Sequence, residues 1–275
     1  MPRLLYKDNT MIVLELDNTF RSTFRGCRRK YFLTKHLNLA TVHGSNALRY
    51  GSTWHAFIEG YYSHIKENGW AEDGKAIERA VSFGKAVWDH ESSQSQAFDE
   101  SDYRTFANCS ESFLQYIAEF AYDKGHMEVV ETEQVFNHII ELSKEEEALF
   151  PNLKTVEVHF TGRLDNQVRL SGMRWIVEHK STGQPIKTQG ERLNRSPQIL
   201  GYSYAGKFAL KFEAEGCLVS IHHISSRRTK SGEWGSINRD FKRIPQIFTT
   251  EDLMSWRFSY LSTCSDVVHH QEYGI

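Results

Sequence analysis

The sequence predicts an α/β (α+β) fold in which a central mixed sheet is flanked by helices and accompanied by a helical insert. Three observations support this class. Helix-periodic segments fill most of the first 125 residues, period-two alternation begins near Met127, and a helix, a strand and a last helix follow. With 275 residues, 40% of them hydrophobic, the chain can bury one substantial core.

Composition and charge exclude several classes of protein. Aromatic residues make up 13% of the chain, which argues against extensive disorder. The formal net charge is −2, so any contact with nucleic acid must use a local basic patch. No apolar run of about 18 residues occurs, and the first residues lack the apolar core of a signal peptide. We therefore expect no membrane span and a cytoplasmic location.

The cysteines are widely spaced, and none forms a C-x-x-C pair. They are Cys27, Cys109, Cys217 and Cys264. This spacing argues against a zinc knuckle and predicts free thiols in a reducing compartment.

One strand and then two helices are predicted in the first part of the chain. Residues 10–17 indicate a short strand, and Asn18-Thr19 can cap a first helix. Its expected core residues are Phe20, Phe24, Cys27, Tyr31 and Phe32. Gly51-Ser52 is expected to start the next helix, which runs to about Lys66 and ends at Asn68-Gly69. Its predicted buried stripe is Trp54, Ile58, Tyr61 or Tyr62, and Ile65.

The helical insert is predicted at about residues 70–125. It consists of amphipathic helices over residues 75–90 and 102–122, joined by a polar linker at 92–96. A strand is then expected within residues 129–140, and the acidic residues 141–154 suggest a loop.

The second half of the chain alternates with a period of two before it becomes helical again. Strands are predicted over residues 156–164, 167–170 and 174–180, with a turn at Ser171-Gly172. Ser196-Pro197 then predicts the start of a helix that runs to about Phe212. A strand over 216–224 and a helix from Thr249 to about Leu261 complete the prediction.

The most informative segment pairs an acid with a lysine on a predicted strand. Acid-x-Lys pairs occur at Asp73/Lys75, Glu178/Lys180 and Asp240/Lys242, and only Glu178/Lys180 lies in a strongly β-forming run. Residues two apart share one face of a strand, so both side chains project together. A short turn connects this strand to one that contains Asp165, which the hairpin can bring beside Glu178.

Two carboxylates placed together repel each other, and a divalent cation would remove the repulsion by binding their oxygens. Lys180 would then lie beside the metal, where it could orient a water molecule or stabilise a phosphate. A surface hairpin with a Glu178–Lys180 salt bridge, worth about 0–1 kcal/mol, is the equally weighted alternative on these residues alone.

Four separated motifs resemble the PD-(D/E)XK nuclease superfamily, and most of all its RecB-like exonuclease branch. G-R-L-D at 162–165 followed by E-H-K-S-T-G at 178–183 is similar to the catalytic hairpin. Gln198 and Tyr202 lie four apart on the following helix, as in the branch. G-S-T-W-H at 51–55 and F-R-G-C-R-R-K-Y at 24–31 match the early motifs, although Arg28 replaces the usual proline.

The resemblance implies a single nuclease domain over residues 1–275 with a restriction-endonuclease-like core. It implies metal ligands at His55, Asp165, Glu178 and the His179 backbone carbonyl, with Mg²⁺ or Mn²⁺ bound and Lys180 catalytic beside the two acids. Gln198 and Tyr202 would brace the site or touch DNA phosphate. The basic residues Arg28, Arg29 and Lys30 are candidate DNA contacts, and residues 227–230 form another basic patch. Glu59 could join His55, although solvated helix surface is the favoured interpretation, and Glu131 or Glu133 could support the ligands.

One departure concerns an iron–sulfur cluster that many RecB-like relatives hold. Cys27 and Cys264 are present at expected ends of the chain, but closely spaced partners are missing, so we expect no cluster. The resemblance favours an exonuclease acting on DNA, with single-stranded ends as candidate substrates, in recombination, repair or phage DNA processing. A structure- or sequence-directed endonuclease and a non-catalytic DNA-binding subunit remain alternatives, and a homo-oligomer or a recombination partner protein is compatible with the sequence.

Overall fold

The computed structural model describes residues 4–7, 11–39, 44–94 and 98–272. Within these residues, seven strands form one mixed sheet with helices on both faces, which confirms the predicted fold class. The strands are β1 (Leu4–Lys7), β2 (Met11–Leu16), β3 (Met127–Ile139), β4 (Val156–Leu170), β5 (Met173–Thr182), β6 (Gly216–Ser225) and β7 (Asn238–Ile247). The α-helices are α1 (Asn18–Gly26), α2 (Arg28–Tyr31), α3 (Asn46–Asn68), α4 (Asp73–Gln94), α5 (Phe106–Glu119), α6 (Lys144–Leu149), α7 (Ile186–Leu193), α8 (Pro197–Tyr204) and α9 (Thr250–Glu272).

The long strand β4 organises the sheet. The strand order is β1-β2-β4-β5-β6-β7, and β3 pairs with the other edge of β4. The pairs β2–β4 and β5–β6 are parallel, and the remaining pairs are antiparallel. On one edge β4 has two successive neighbours: residues 156–160 pair with β2, and residues 166–170 pair with β5. The sheet therefore forks beside the middle of β4.

Each face of the sheet covers its own hydrophobic core. On one face, residues of α1, α8 and α9 pack with the sheet around Phe160, Trp256 and Tyr260. On the other face, α3, α4 and α5 pack around Trp54 and Phe113. The two helices of the predicted insert, α4 and α5, therefore complete the layer to which α3 belongs.

Several local predictions are confirmed. The turn at Ser171-Gly172 joins β4 to β5, with positive φ angles of 51° and 82° at its two residues. Helix α3 ends at Asn68, and Gly69 accepts the left-handed conformation with φ 75°. The predicted stripe of α3 is buried at all of its positions, which are Trp54, Ile58, Tyr61, Tyr62 and Ile65.

Three helix predictions were wrong in their boundaries or faces. Helix α3 starts at Asn46, because Ser45 Oγ accepts the Leu48 N–H; Gly51-Ser52 lies inside the helix. Helix α1 is capped by Asp17, whose side chain accepts the Phe20 N–H, and not by Asn18-Thr19. Phe20, Phe24 and Tyr31 are buried as expected, but Cys27 and Phe32 are exposed.

The polar segments contain more helix than predicted. Residues 141–154 include α6, where Ser143 and Glu146 form a reciprocal capping box. Residues 92–94 of the predicted linker continue α4, and residues 95–96 lie outside the described part of the chain. The helix predicted from Ser196 to Phe212 is α8 followed by a π-helical turn at Ala205–Ala209.

Three further elements were not predicted, namely β1, α7 and β7, and α9 extends to Glu272. Strand β7 alternates exposed and half-buried positions and contains Pro245, a pattern typical of an edge strand. The four cysteines are free, as expected. In the described residues, no helix combines the length and apolar character needed to cross a membrane.

Candidate active site

The fork in the sheet places Asp165 at an open strand edge. Asp165 lies on β4 between the segment paired with β2 and the segment paired with β5. The backbone N–H of His179 on β5 donates a hydrogen bond to Asp165 Oδ2 at 2.8 Å. The Asp165 side chain keeps 12% of its surface exposed, so its carboxylate is fixed yet accessible.

Strand β5 adds an acid and a base on one face. Lys180 Nζ lies 2.5 Å from Glu178 Oε1. Only 3% of the Glu178 side chain is exposed, and its Oε2 has no hydrogen-bond partner among the described residues. A buried carboxylate oxygen without a donor is unfavourable, and a bound cation would satisfy it.

Helix α3 brings an imidazole to the same place. His55 Nδ1 lies 3.6 Å from Asp165 Oδ2. Desolvation lowers the pKa of His55 below its ordinary value, which outweighs the opposing attraction of Glu178. The ring is therefore neutral at pH 7 and retains a nitrogen lone pair for a ligand. Glu59, one turn further along α3, is half-buried and lines the same cavity.

Helix α8 supports the buried acid from the side. Gln198 Nε2 donates a hydrogen bond to Glu178 Oε1 at 2.9 Å and lies 3.2 Å from the Tyr202 hydroxyl. The spacing of four residues puts Gln198 and Tyr202 on one face of the helix. The pair expected from the sequence thus reaches the catalytic candidates, and Gln198 contacts one of them directly.

Burial raises the pKa values of both carboxyl groups. Desolvation is the main cause, and it raises the pKa of Asp165 to about 6 and that of Glu178 to about 7; the nearby Asp165 charge adds to the shift at Glu178. Burial alone would lower the pKa of Lys180, but the attraction of Glu178 prevails and raises it. The lysine is therefore charged, and it supplies one positive charge for two carboxyl groups, which together would carry two negative charges when ionised.

All of these side chains line one open cavity of about 790 Å³. Five acids lie in its wall: Asp17, Glu59, Glu133, Asp165 and Glu178. Among the described residues, the lysine and arginine side chains in that wall are Lys180 and Arg163. The excess of acids makes the cavity suited to a divalent cation.

The donor set fits a metal, although its groups do not form a closed coordination shell. Among the described residues, no three His, Cys, Asp or Glu side chains have the spacing of a metal site. The imidazole of His55 and the carboxylates of Asp165 and Glu178 nevertheless border the cavity, and Glu178 Oε2 has no hydrogen-bond partner among the described residues. Imidazole and carboxylate oxygens are common ligands of Mn²⁺, and carboxylates are ligands of Mg²⁺.

Some predicted site residues lie elsewhere. Arg28, Arg29 and Lys30 are exposed in α2 and do not line the cavity. They follow the far end of the nine-residue α1, whose start borders the cavity, so roughly 13 Å of helix separates them from it. Glu131 pairs with Lys66 outside the cavity wall, whereas Glu133 lies within it.

Two residues in the cavity wall were missed by sequence reasoning. Asp17 follows β2, which runs parallel to β4, and this parallel pairing has no local sequence signal. Arg163 stood in the G-R-L-D motif without an assigned role. Its spacing of two from Asp165 was the available signal, because residues two apart share a strand face.

Comparisons with known proteins identify one family. The model of the PD-(D/E)XK nuclease superfamily matches residues 21–237. No match was found among curated proteins. The crystal structure of SSO0001 aligns over 89% of this chain and 88% of its own, with 12% identity and a TM-score of 0.27, a similarity too low to support any inference.

The matched region contains β4, β5 and the catalytic candidates named above, whereas β2 and Asp17 of the cavity wall precede it. Proteins of this superfamily cleave phosphodiester bonds and typically use Mg²⁺ or a similar divalent metal. Because the family model spans most of the chain, the protein belongs to the PD-(D/E)XK nuclease superfamily.

Proposed function

We propose that the protein is a metal-dependent deoxyribonuclease of the RecB-like branch that acts as an exonuclease. One observation carries the proposal: His55, Asp165, Glu178 and Lys180, which come from three separate elements, line a single cavity. A surface hairpin with an isolated salt bridge does not account for this convergence, because Glu178 is almost fully buried.

In this proposal His55, Asp165, Glu178 and the backbone carbonyl of His179 hold Mg²⁺ or Mn²⁺. A divalent ion supplies two effects there: it lowers the pKa of a water molecule and offsets negative charge on the phosphate. The unpartnered Glu178 Oε2 and the raised pKa values of both acids support this assignment. The imidazole of His55 favours Mn²⁺ somewhat, because nitrogen is a softer donor than carboxylate oxygen.

Lys180 would contact the reacting groups. Its charged amine is held by Glu178, and 24% of its side chain is exposed. From this position the amine can orient the attacking water or stabilise the negative charge that develops on the phosphate. Gln198 would act through Glu178, whose Oε1 it contacts, and is therefore a positioning residue.

The exonuclease mode and the RecB-like branch are supported by the sequence motifs. His55 on a helix after Gly51-Ser52, the catalytic hairpin, and Gln198 with Tyr202 follow the order of that branch. The helices α4 and α5 complete the α3 layer, and no separate specificity domain is evident in the described residues. An exonuclease requires DNA ends, whereas an endonuclease also cleaves closed circles.

The decisive experiment incubates end-labelled single-stranded and double-stranded DNA with the protein under Mg²⁺, Mn²⁺ and EDTA. Cleavage is expected with either metal and not with EDTA. Linear DNA should be degraded and covalently closed circles of the same sequence should survive; equal cleavage of both would contradict the exonuclease mode.

Lys180→Ala separates a nuclease from a DNA-binding subunit. The variant should lose about 10²-fold or more in cleavage rate while it still binds DNA. Absence of metal-dependent cleavage by the wild-type protein on all of these substrates, with DNA binding intact, would favour the non-catalytic alternative.

A further inference from the structure

Arg163 lies beside Asp165 in the wall of the cavity. The two residues are separated by one position on β4, so they share a face of the strand, and both border the cavity. The charge of Arg163 also acts on its neighbours: it adds to the burial that lowers the pKa of His55, and it opposes the burial that raises the pKa values of Asp165 and Glu133. The guanidinium is therefore close to the catalytic candidates.

Glu133 holds this arginine in place. Arg163 Nε lies 2.8 Å from Glu133 Oε2, an ion pair without hydrogen-bond geometry. Glu133 lies on β3 between Thr132, which pairs with Asn166, and Gln134, which pairs with Leu164. Within the described part of the chain, no group accepts a hydrogen bond from Arg163 Nη1 or Nη2. The side chain is 63% exposed, so its planar fork is anchored on one side and open on the other.

The backbone of Glu133 is unusual for a strand residue. Its φ angle is 49°, a left-handed value that non-glycine residues rarely adopt. Residues with such backbone geometry concentrate at functional sites. The outlier lies at the residue that pairs with Arg163 and lines the cavity.

The wall of the cavity carries more acidic than basic side chains, which is unfavourable for binding a DNA phosphate unless a cation faces it. Five carboxylates line the wall, and the cation on β5, Lys180, already pairs with Glu178. A DNA strand brings further negative charge, and arginine binds phosphate through two parallel N–H groups. Of the two cations in the wall, Lys180 is paired with Glu178, whereas the Nη groups of Arg163 have no hydrogen-bond acceptor among the described residues.

We propose that Arg163 binds a DNA phosphate next to the phosphate at Lys180, with Glu133 as its positioning residue. This inference rests on the proposed nuclease function and adds a substrate contact to it. Arg163 would hold the strand in register with the catalytic groups, and Glu133 would keep the guanidinium fork turned for that contact.

The chain offers a matched control on the same pair of strands. Arg169 on β4 pairs with Glu128 on β3, with Arg169 Nη1 2.7 Å from Glu128 Oε2. This pair resembles Arg163–Glu133, but neither residue lines the cavity. A general effect of removing a β4 arginine would appear in both variants, whereas a phosphate contact would appear only at Arg163.

The test measures binding of a short fluorescein-labelled single-stranded DNA in Ca²⁺ at several salt concentrations. Arg163→Ala should raise Kd about tenfold and lower the slope of log Kd against log salt by about one. Arg169→Ala should change neither quantity. Glu133→Gln should raise Kd less, and Glu133→Gln combined with Arg163→Ala should be no weaker than Arg163→Ala alone.

Arg163→Lys is the second variant, which tests the inference even if Arg163→Ala misfolds. It keeps the charge but loses the fork, so it should retain the wild-type salt slope and bind more weakly than wild type. A wild-type Kd and slope in Arg163→Ala, or the same loss in Arg169→Ala, would overturn the inference. If wild-type protein binds DNA without cleaving it under Mg²⁺ or Mn²⁺, the nuclease proposal fails while these binding measurements still decide the role of Arg163.

Discussion

Asp165 is joined to the neighbouring strand by the backbone of His179, whose N–H donates to Asp165 Oδ2 at 2.8 Å. The donor is a backbone group, so it is present whatever side chain occupies position 179. The carboxylate is thereby held at the fork between β4 and β5, while burial raises its pKa to about 6. The ionised form of Asp165 would bind a cation, but in the metal-free protein its burial makes that form destabilising.

Asp165→Asn should abolish cleavage and stabilise the metal-free protein. The asparagine Oδ1 can still accept the His179 hydrogen bond, but the side chain carries no charge. The folded pKa of about 6 lies above the ordinary 3.8, so charged Asp165 destabilises the fold above pH 6 and has no effect below about pH 4. Urea unfolding in EDTA at pH 7 should show a gain of up to about 3 kcal/mol.

The exposed Asp266 provides the control for this substitution. Asp266→Asn should leave both the free energy of unfolding and cleavage unchanged. Retained cleavage in Asp165→Asn, or a loss of stability in EDTA, would contradict the assignment of Asp165 as a buried, charged ligand.

Gln198→Ala should weaken metal binding and cleavage without unfolding the protein. Gln198 donates to Glu178 Oε1, and removal of such a supporting contact typically lowers metal affinity or activity about 10–100-fold. Calorimetric titration with Mn²⁺ and measurement of kcat test this. Tyr202→Phe is the matched variant: it removes a hydroxyl that contacts Gln198, so its effect should be smaller. Wild-type Mn²⁺ affinity in Gln198→Ala would rule out the positioning role.

The β4–β5 hairpin could be predicted because its signals are local. Residues two apart on a strand share a face, and the Ser171-Gly172 turn adopts the positive φ angles that such a turn needs. The register that places Thr132 and Gln134 of β3 opposite Asn166 and Leu164 of β4 could not be predicted in the same way. It depends on an irregularity in the β3–β4 register between Val129 and Glu131, which shifts the later partners by one residue.

Strand β7 was missed for a different reason. Its run of charged residues indicates exposed surface, yet Arg239 and Arg243 keep only 7% and 9% of their side chains exposed. Their partners are Glu111 and Asp123, more than 100 positions earlier in the chain. Side chains whose burial depends on such distant partners give no periodic signal, so the strand cannot be recognised before the fold is known.

Gly60→Ala should destabilise the protein, because α3 and α4 cross at this residue. A Cβ at Gly60 would lie 2.8 Å from the Ala80 Cα, a backbone atom that cannot move aside by rotation. We expect a loss of about 1–3 kcal/mol in urea unfolding. Cleavage should fall as well, since α3 carries His55.

Gly74→Ala is the control for the helix-propensity effect. Gly74 lies in the first turn of α4, and its Cβ would meet nothing within 4 Å. This variant should gain about 0.4–1 kcal/mol. A Gly60→Ala protein as stable as Gly74→Ala would show that the two helices are not in close contact at this crossing.

His222→Phe should remove part of the acid sensitivity of the fold. The His222 ring is 1% exposed, stacks on Phe241 at 5.1 Å, and neither of its nitrogens has a hydrogen-bond partner among the described residues. Desolvation lowers its pKa to about 3, so below the ordinary value of 6.5 the unfolded chain binds a proton that the folded chain does not. Stability is thus complete above pH 6.5 and falls toward pH 3 by up to about 1.4 kcal/mol per pH unit. Urea unfolding between pH 7 and pH 4 should show that the free energy of unfolding declines less steeply with falling pH in His222→Phe than in wild type. His223→Phe, a substitution at the adjacent half-buried position, should keep the wild-type slope. Identical slopes in His222→Phe and wild type would mean that the His222 ring is charged or lies outside the core.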